Sequence, residues 1–365
     1  MRKAYELAKN AEGMTSPNPC VGAVVVKNGK IIGKGFHKKA GESHAEILAI
    51  KSVKSIKTIK GADMYVTLEP CCHYGKTPPC TNSIITSGIK NVFIGMKDPF
   101  KKVCGKGIKS LERAGVKVEV LNSNDELAVK IRGINQPFLK FAQTGLPYVI
   151  MKAVMSVDGK IATSSGKSKW ITEDKSRLDA RFERGLCDAV VVGANTIKTD
   201  NPELVICDEF KSKKILKIIF DGGISLNPDY KIFRGNNVLL VCGNNVNSVN
   251  KKKFEKAGIE ILAFKYDRIP IREFLKVLAE RGIQSVFVEG GGETHGRFYD
   301  AFLKDRELLD KIIFYIAPMI IVGRESLSAV SGDGIKKLFQ SPKFSNVYLS
   351  MIGDDLKYEA ILNLF

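Results

Sequence analysis

Short apolar runs, separated by polar connections rich in glycine and lysine, recur along the whole chain. The opening segment, Met1 to Asn10, places Ala4, Leu7 and Ala8 on one face at helical spacing. Ser16-Pro-Asn-Pro-Cys20 follows as a rigid loop, and Val21 to Val26 is a continuous apolar run that reads as a strand. Asn28-Gly29 is a strong hairpin signal, because both residues tolerate the positive φ of a tight turn. Ile31 to Phe36 returns as the second strand and delivers His37 at its end. A helix begins at His44-Ala-Glu46. Met64 to Leu68, Asn91 to Gly95 and Val116 to Val120 read as strands, with a helix near Ile108 to Ala114. Strands alternating with helices after an opening hairpin predict a three-layer α/β domain.

Phe141-Ala-Gln-Thr-Gly-Leu-Pro147 breaks this pattern and divides the chain into 1–145 and 146–365. Beyond it, Tyr148 to Val154, Ala189 to Gly193, Lys217 to Phe220, Val238 to Val241, Ser285 to Val288 and Lys311 to Ile316 read as further strands. Several are apolar without alternation, the signature of strands buried on both faces. A second α/β domain with a mostly parallel sheet is therefore expected. No internal repeat relates the two halves.

The 365 residues suffice for two cores, and 44% hydrophobic content with mixed charge indicates a folded chain. The longest apolar run, Ile312 to Val322, is too short to span a bilayer and contains Pro318, so no membrane partner is expected. Eight cysteines without the framework of a small secreted domain suit a reducing cytoplasm. The net charge of +18 suits nucleic acid or small phosphorylated anions. Lys251-Lys-Lys253 and Lys211-Ser-Lys-Lys214 lack interleaved aromatics and read as solvated faces, which favours the small anions.

Metal chemistry is concentrated in Glu69-Pro-Cys-Cys-His-Tyr-Gly-Lys-Thr-Pro-Pro-Cys80, with His44-Ala-Glu46 upstream. His44, Cys71 and Cys80 supply one imidazole and two thiolates. Three protein ligands leave a fourth tetrahedral position for water, as a catalytic zinc requires. Glu46 then shuttles protons without binding metal, the arrangement of zinc-dependent base deaminases. Those enzymes usually read P-C-x-x-C, whereas here a loop with Gly75, Pro78 and Pro79 separates Cys71 from Cys80. Pro78-Pro79 leads into a helix-like run, Ser83 to Gly88, whose N-terminus favours a Cys80 thiolate. Cys72 is an alternative to Cys71; Cys71 is preferred because it follows Glu69-Pro70 directly. A closed structural knuckle, with Cys72 or His73 as fourth ligand, also satisfies the spacing but leaves Glu46 without a role. His44 and Glu46 converge on one pocket only within the first turn of a helix.

Glu289-Gly-Gly-Gly-Glu293 follows a buried strand and precedes a helical segment. Backbone amides and a helix N-terminus there favour phosphate, although a tight turn also explains a glycine triplet. It is not G-x-G-x-x-G, so a Rossmann fingerprint is not supported.

Several motifs together carry a family resemblance. Pro17-Asn-Pro-Cys-Val-Gly-Ala-Val24, Gly35-Phe-His37, His44-Ala-Glu46 and the Thr67 to Cys80 stretch resemble the pyrimidine deaminase domain of riboflavin biosynthesis. Lys152 to Lys160, Ser168-Lys-Trp-Ile-Thr172, Asp200-Asn-Pro202, Glu289-Gly-Gly-Gly292 and Ala317-Pro318 resemble the matching reductase. The match runs in order along nearly the whole chain, which is identified as a member of the bifunctional riboflavin-pathway deaminase/reductase family.

The resemblance implies a cytidine-deaminase-like N-terminal domain and a dihydrofolate-reductase-like C-terminal one. It implies zinc-dependent hydrolytic deamination of 2,5-diamino-6-(5-phosphoribosylamino)pyrimidin-4-one, with Glu46 passing a proton from water to the leaving nitrogen. NADPH then reduces the ribosyl side chain to ribityl. Asn18 and His37 would line the deaminase pocket; read without the family, His37 is as readily an ordinary surface residue. Val154, Trp170, Thr196, Asp200 and the segment Gly291, Gly292, Glu293, Thr294, His295, Gly296, Arg297 map to the cofactor. Ser168, Arg184, Leu204 and Glu289 map to the substrate, and Arg184 and Ser168 suit its phosphate. Trp170, the only tryptophan, reads as a core residue without the family. The partners expected are small phosphorylated pyrimidines and a second copy of the chain in a homo-oligomer, not nucleic acid.

Two departures from the family pattern stand out. Cys207 replaces an arginine that in the family helps to hold the substrate phosphate; either a lysine from Lys211 to Lys214 substitutes or the reductase binds its substrate more weakly. Asp98-Pro-Phe-Lys101 replaces Asp-Pro-Asn-Pro, losing an asparagine amide but adding Lys101 and Lys102. The chain also opens close to its first helix, so by the resemblance a few residues typical of the family are expected ahead of it.

Overall fold

The computed structural model describes residues 1–72, 78–100, 103–344 and 346–365, without the side chain of Ile56. His73, Gly75, Lys101 and Lys102, named above, lie outside the described residues. The chain forms two compact units, Met1–Gly145 with Phe365, and Leu146–Leu364.

The first unit holds a five-stranded sheet in the order β2-β1-β3-β4-β5. Its strands are β1 (Gly22–Lys27), β2 (Lys30–Phe36), β3 (Asp63–Leu68), β4 (Asn91–Met96) and β5 (Lys117–Val120). β1 pairs antiparallel with β2 and β3, whereas β3, β4 and β5 run parallel. The hairpin turns at Asn28 (φ 48°) and Gly29 (φ 74°), the left-handed pair that the sequence predicts.

Among the described residues seven helices accompany this sheet: α1 (Arg2–Lys9), α2 (Ala45–Lys51), α3 (Ile56–Ile59), α4 (Cys80–Thr86), α5 (Lys106–Arg113), α6 (Glu126–Gly133) and α7 (Gln136–Thr144). β1 is apolar throughout because it is covered on both faces. Val24 packs with Ala4 and Leu7 of α1, while Ala23 and Val25 join Ala45 and Ala49 of α2. Helices on both faces make three layers. Close approach needs glycine: a Cβ on Gly22 would lie 2.0 Å from the Ala4 carbonyl oxygen, and one on Gly35 2.5 Å from the Ala49 nitrogen. α7 ends at Gly145, whose left-handed φ of 71° caps the helix where the unit ends.

The second unit is a nine-stranded sheet in the order β10-β9-β8-β7-β11-β6-β12-β14-β13. The strands are β6 (Tyr148–Ser156), β7 (Ala189–Gly193), β8 (Leu216–Phe220), β9 (Val238–Cys242), β10 (Glu260–Ala263), β11 (Ser285–Val288), β12 (Lys311–Ala317), β13 (Asn346–Ile352) and β14 (Asp355–Ile361). From β10 to β12 every pairing is parallel, as expected. An antiparallel pair, β14 and β13, then extends the sheet, which the apolar runs did not predict.

The helices here are α8 (Asp174–Leu186), α9 (Ala194–Asp200), α10 (Ser248–Lys256), α11 (Ile271–Glu280) and α12 (Gly292–Lys304). One apolar core unites Val149, Val191, Leu239 and Val288 of the strands with Phe274 of α11 and Phe298 of α12. The contacts between α8 and the C-terminal strands are polar instead. Tyr315 donates its hydroxyl to Asp179 (2.5 Å), and Lys357 pairs with Asp179 (2.8 Å) and Glu183 (2.7 Å). Asp355 accepts from the Ser176 hydroxyl at 2.6 Å and the Glu173 amide at 2.9 Å. Among the described residues no helix is long and apolar enough to cross a membrane.

Candidate active sites

In the first unit, β3 runs straight into Glu69-Pro70-Cys71, and Cys80 is the first residue of α4. His44 is the N-cap of α2, with extended backbone, and Glu46 falls in the helix's first turn. That placement lets two residues so close in sequence serve one pocket. His44 Nδ1 lies 3.2 Å from Cys80 Sγ and 3.6 Å from Cys71 Sγ. The Cys80 amide points at Cys71 Sγ from 3.4 Å. The three donor atoms all lie within 4.8 Å of one another. A tetrahedral zinc separates its nitrogen and sulfur ligands by about 3.5 Å, so donor type and spacing both fit that ion. Cys72 is half-buried and stands outside this group.

The electrostatics suit the same use. Burial above all, with Cys71 adding to it, pushes the Glu46 carboxyl up to about 7. The thiols share a proton: a hydrogen bond from Cys80, with His44 beside it, holds Cys71 down to about 4, while Cys71 and burial drive Cys80 upward. His37 is buried, not a surface residue. Its Nδ1 faces the Ser43 carbonyl at 3.2 Å, and its Nε2 faces Asn18 Nδ2 at 3.0 Å. A carbonyl only accepts, so Nδ1 carries the proton and the Asn18 amide donates to Nε2. Burial lowers the pKa of His37 and keeps the ring neutral. The His37 ring makes an edge contact with His44, centroids 5.6 Å apart.

Glu69 has a role that its sequence position did not announce. Its carboxylate accepts backbone N–H groups from Asp98 (3.2 Å), Gly105 (3.0 Å), Gly107 (3.0 Å) and Ile108 (3.3 Å). It thereby ties the start of α5 and the loop before it to the segment bearing Cys71.

In the second unit, Glu289 follows β11 and is gripped by two cations. Arg184, in the last turn of α8, donates Nε to Oε2 at 2.7 Å and Nη2 to Oε1 at 2.8 Å. Lys152, on the adjacent strand β6, donates to Oε1 at 2.9 Å. Burial raises the Glu289 pKa, but Arg184 and Lys152 outweigh it and hold the carboxyl at about 2. Arg184 also donates Nη1 to the Val205 carbonyl. Three of its five N–H donors are therefore used inside the protein. Leu204, next to Val205, is buried with a left-handed φ of 51°.

β7 and β11 are neighbours, and each runs into a helix, α9 and α12. In an open α/β sheet, ligands bind at the C-terminal ends of such strands. A Cβ on Gly193 would meet Thr294 Oγ1 at 2.5 Å, and one on Gly291 would meet only Thr196 Oγ1, at 3.6 Å. Thr196, Gly291 and Thr294 thus converge, with two helix N-termini that suit a pyrophosphate. Gly292 and Gly296 pack against Ser328 and Ser331, while Glu293 and Arg297 are exposed. His295 is buried; its Nδ1 lies 2.8 Å from the Ala329 carbonyl, and its Nε2 has no partner among the described residues. Burial pushes it down to about 4.

Ser168 donates to Asp200 at 3.3 Å. Val154 is half-buried on β6. Trp170 is 68% exposed, with the Arg177 guanidinium 4.3 Å from its ring centroid, so the core reading of this tryptophan fails. Cys207 is buried and donates its thiol to the Leu178 carbonyl at 3.5 Å. Lys213 is not solvated as expected, because its ammonium bonds the Gly185 and Leu186 carbonyls at 3.0 and 3.2 Å.

Comparison with known proteins decides the family. The pattern described as the cytidine and deoxycytidylate deaminase zinc-binding region matches residues 1–96, and the RibD C-terminal domain matches residues 147–358. The riboflavin biosynthesis protein RibD of Bacillus amyloliquefaciens is 42% identical over 99% of this chain and 95% of its own. The chain belongs to the RibD family. The Aquifex aeolicus member is 38% identical over 98% of this chain and 96% of its own. Among solved structures, the deaminase/reductase of Thermotoga maritima matches with a TM-score of 0.84 at 33% identity, covering 99% of this chain and 97% of that one. Acinetobacter baumannii RibD matches with a TM-score of 0.84 at 32% identity and the same coverage. Both halves of the family's chemistry are therefore present: a zinc-dependent deaminase and an NADPH-dependent reductase of riboflavin biosynthesis.

Proposed function

We propose that residues 1–145 deaminate 2,5-diamino-6-(5-phosphoribosylamino)pyrimidin-4-one and that residues 146–365 reduce the resulting aminouracil. The Thermotoga relative bears the name of this deaminase/reductase pair. The observation that carries the reading is the convergence of His44, Cys71 and Cys80, with buried Glu46 in the first turn of α2.

His44, Cys71 and Cys80 would hold zinc, which supplies a Lewis acid that makes water nucleophilic near neutral pH. Glu46 takes the water's proton and hands it to the departing amino nitrogen, and ammonia leaves. A carboxyl with a pKa near neutrality suits both directions of that transfer. Neutral His37, both of whose ring nitrogens are bonded, fixes the Asn18 amide, whose remaining donor and acceptor position the pyrimidine.

In the reductase, Val154, Trp170, Thr196, Asp200 and the segment 291–297 would hold NADPH, which supplies the hydride that turns the ribosyl group into ribityl. The N-termini of α9 and α12 place backbone amides for its phosphates. Ser168, Arg184, Leu204 and Glu289 form the substrate side, with Glu289 and the Val205 carbonyl fixing the Arg184 guanidinium and leaving two of its N–H donors for the substrate phosphate.

Eight free thiols support a reducing cytoplasm as the compartment. A homo-oligomer is supported by edge strand β13, where Tyr348, Leu349 and Met351 are each at least 60% exposed and no charge protects the edge.

Ammonia release and NADPH oxidation on the pathway pyrimidine, followed in one cuvette with zinc-loaded protein, test the assignment. Both signals in sequence are expected. Glu46→Gln should lower ammonia release about 10²- to 10⁴-fold while zinc content and the reductase persist. Unchanged ammonia release in that variant removes Glu46 from the mechanism, and neither signal from folded wild type removes the assignment.

A further inference from the structure

The loop that presents Asn18 is held from the far end of the first unit. Asn135 is buried between α6 and α7, outside the residues 1–96 that the deaminase pattern matches. It is the N-cap of α7, and asparagine is among the residues whose side chains best cap a helix. Here the side chain makes no cap bond. Its amide reaches back 115 residues instead. Oδ1 accepts the Cys20 N–H at 2.8 Å, while Nδ2 donates to the Cys20 carbonyl at 3.2 Å and the Ile131 carbonyl at 3.1 Å. Cys20 stands ahead of β1, which begins at Gly22, and the amide supplies there the donor and acceptor that a sheet neighbour would. The Cys20 thiol is buried as well and donates to the Ala11 carbonyl at 3.7 Å. Two connections lead from this clasp to the site. Through Pro19 the chain reaches Asn18, whose backbone N–H bonds the Thr15 carbonyl at 2.8 Å and whose side-chain amide donates to His37 at 3.0 Å. On the other side of Cys20, the Val21 carbonyl accepts the His37 backbone N–H at 2.9 Å. Both members of the Asn18–His37 pair therefore hang on one clasped residue.

We propose that Asn135 is a positioning residue of the deaminase, which sets the Asn18 amide for the pyrimidine by clasping Cys20. This rests on reading Asn18 as a substrate contact. A contact carried on a loop is only as well placed as the groups that lock the loop from behind. Asn135 is buried and both its Nδ2 hydrogens are used, so it acts through Cys20 and Asn18 and not on the pyrimidine itself.

The test uses full-length, zinc-loaded protein and follows ammonia release from the pathway pyrimidine. Asn18→Ala should lower kcat/KM about three- to tenfold, the worth of one neutral hydrogen bond. Asn135→Ala should lower it by a similar factor, about threefold or more. The double variant should match Asn18→Ala alone, because a residue that acts through Asn18 then has nothing left to act on. Zinc content, and NADPH oxidation on the deaminated pyrimidine, should stay at wild-type values throughout. Asn135→Asp keeps the volume and the acceptor for the Cys20 N–H but loses both donors; it should show the same coupling, and it carries the test if the alanine variant does not fold. Unchanged kcat/KM in the Asn135 variants, a double variant whose loss is the product of the two single losses, zinc lost together with the activity, or failure of both variants to fold overturns the proposal. If Asn18→Ala itself leaves kcat/KM unchanged, the reading of Asn18 as a substrate contact fails instead, and this proposal with it.

Discussion

The Glu289 carboxylate sits between two cations with little water to screen it, and Glu289→Gln is the perturbation that shows what it contributes. Side-chain exposures are 15% for Glu289, 8% for Arg184 and 10% for Lys152. Glutamine keeps the volume and one acceptor oxygen but removes the charge, leaving two buried cations facing each other. The carboxyl pKa falls from 4.5 to about 2 in the folded chain. At 1.36 kcal/mol per pH unit, that difference corresponds to roughly 3 kcal/mol of stability. Breaking one side of a buried ion pair costs a similar ~3–5 kcal/mol. The sign follows from the depressed pKa: the contribution is complete above the unfolded value of 4.5 and is lost as pH falls from there toward 2. Urea unfolding followed by circular dichroism at several pH values measures it. The variant should be less stable by about 3 kcal/mol at pH 7, equivalent to about 6–12 °C in Tm for a unit of this size. The gap should close as the buffer is taken from pH 4.5 downward. A variant within about 0.5 kcal/mol of wild type at pH 7, or a gap that widens on acidification, would refute the argument that the two cations hold this carboxylate.

Two further outcomes follow from other contacts. Cys80→Ser removes one of three donors and the residue that opens α4; metal analysis after dialysis should show zinc lost and deamination abolished, with NADPH oxidation retained. Full zinc occupancy in that variant would assign the ion to other ligands. Gly22→Val puts a Cβ where the Ala4 carbonyl oxygen stands, 2.0 Å away, so α1 must lift off the sheet. Overpacking of this kind costs about 1–3 kcal/mol or more. Heat inactivation should reach the deaminase earlier than in wild type and leave the reductase midpoint unmoved; equal midpoints would contradict the packing.

Much of the architecture was legible because each signal was local. β1 is a continuous apolar run, and it proves to be covered by α1 and α2 on opposite faces. Asn28-Gly29 specifies its turn through two positive φ angles. The last two strands were not legible, because β14 inverts the usual pattern. It buries Asp355 and Lys357 against Ser176, Asp179 and Glu183, while Tyr348, Leu349 and Met351 of β13 remain exposed. A rule that turns apolar residues inward finds no strand there, since the inward face is satisfied by charge pairs.

The same distinction separates the two candidate sites. The zinc donors come from two segments with strong spacing, and residue type alone states their chemistry: a histidine and two cysteines brought together leave few uses other than a metal. Arginine and glutamate state no such thing, because each is as well suited to the other as to a ligand. Arg184 reads as a phosphate contact in the sequence, and nothing there announces that it also grips Glu289, 105 residues away, with Lys152 a further cation 137 residues from that carboxylate. Charge recognises a substrate only where the protein has not already neutralised it.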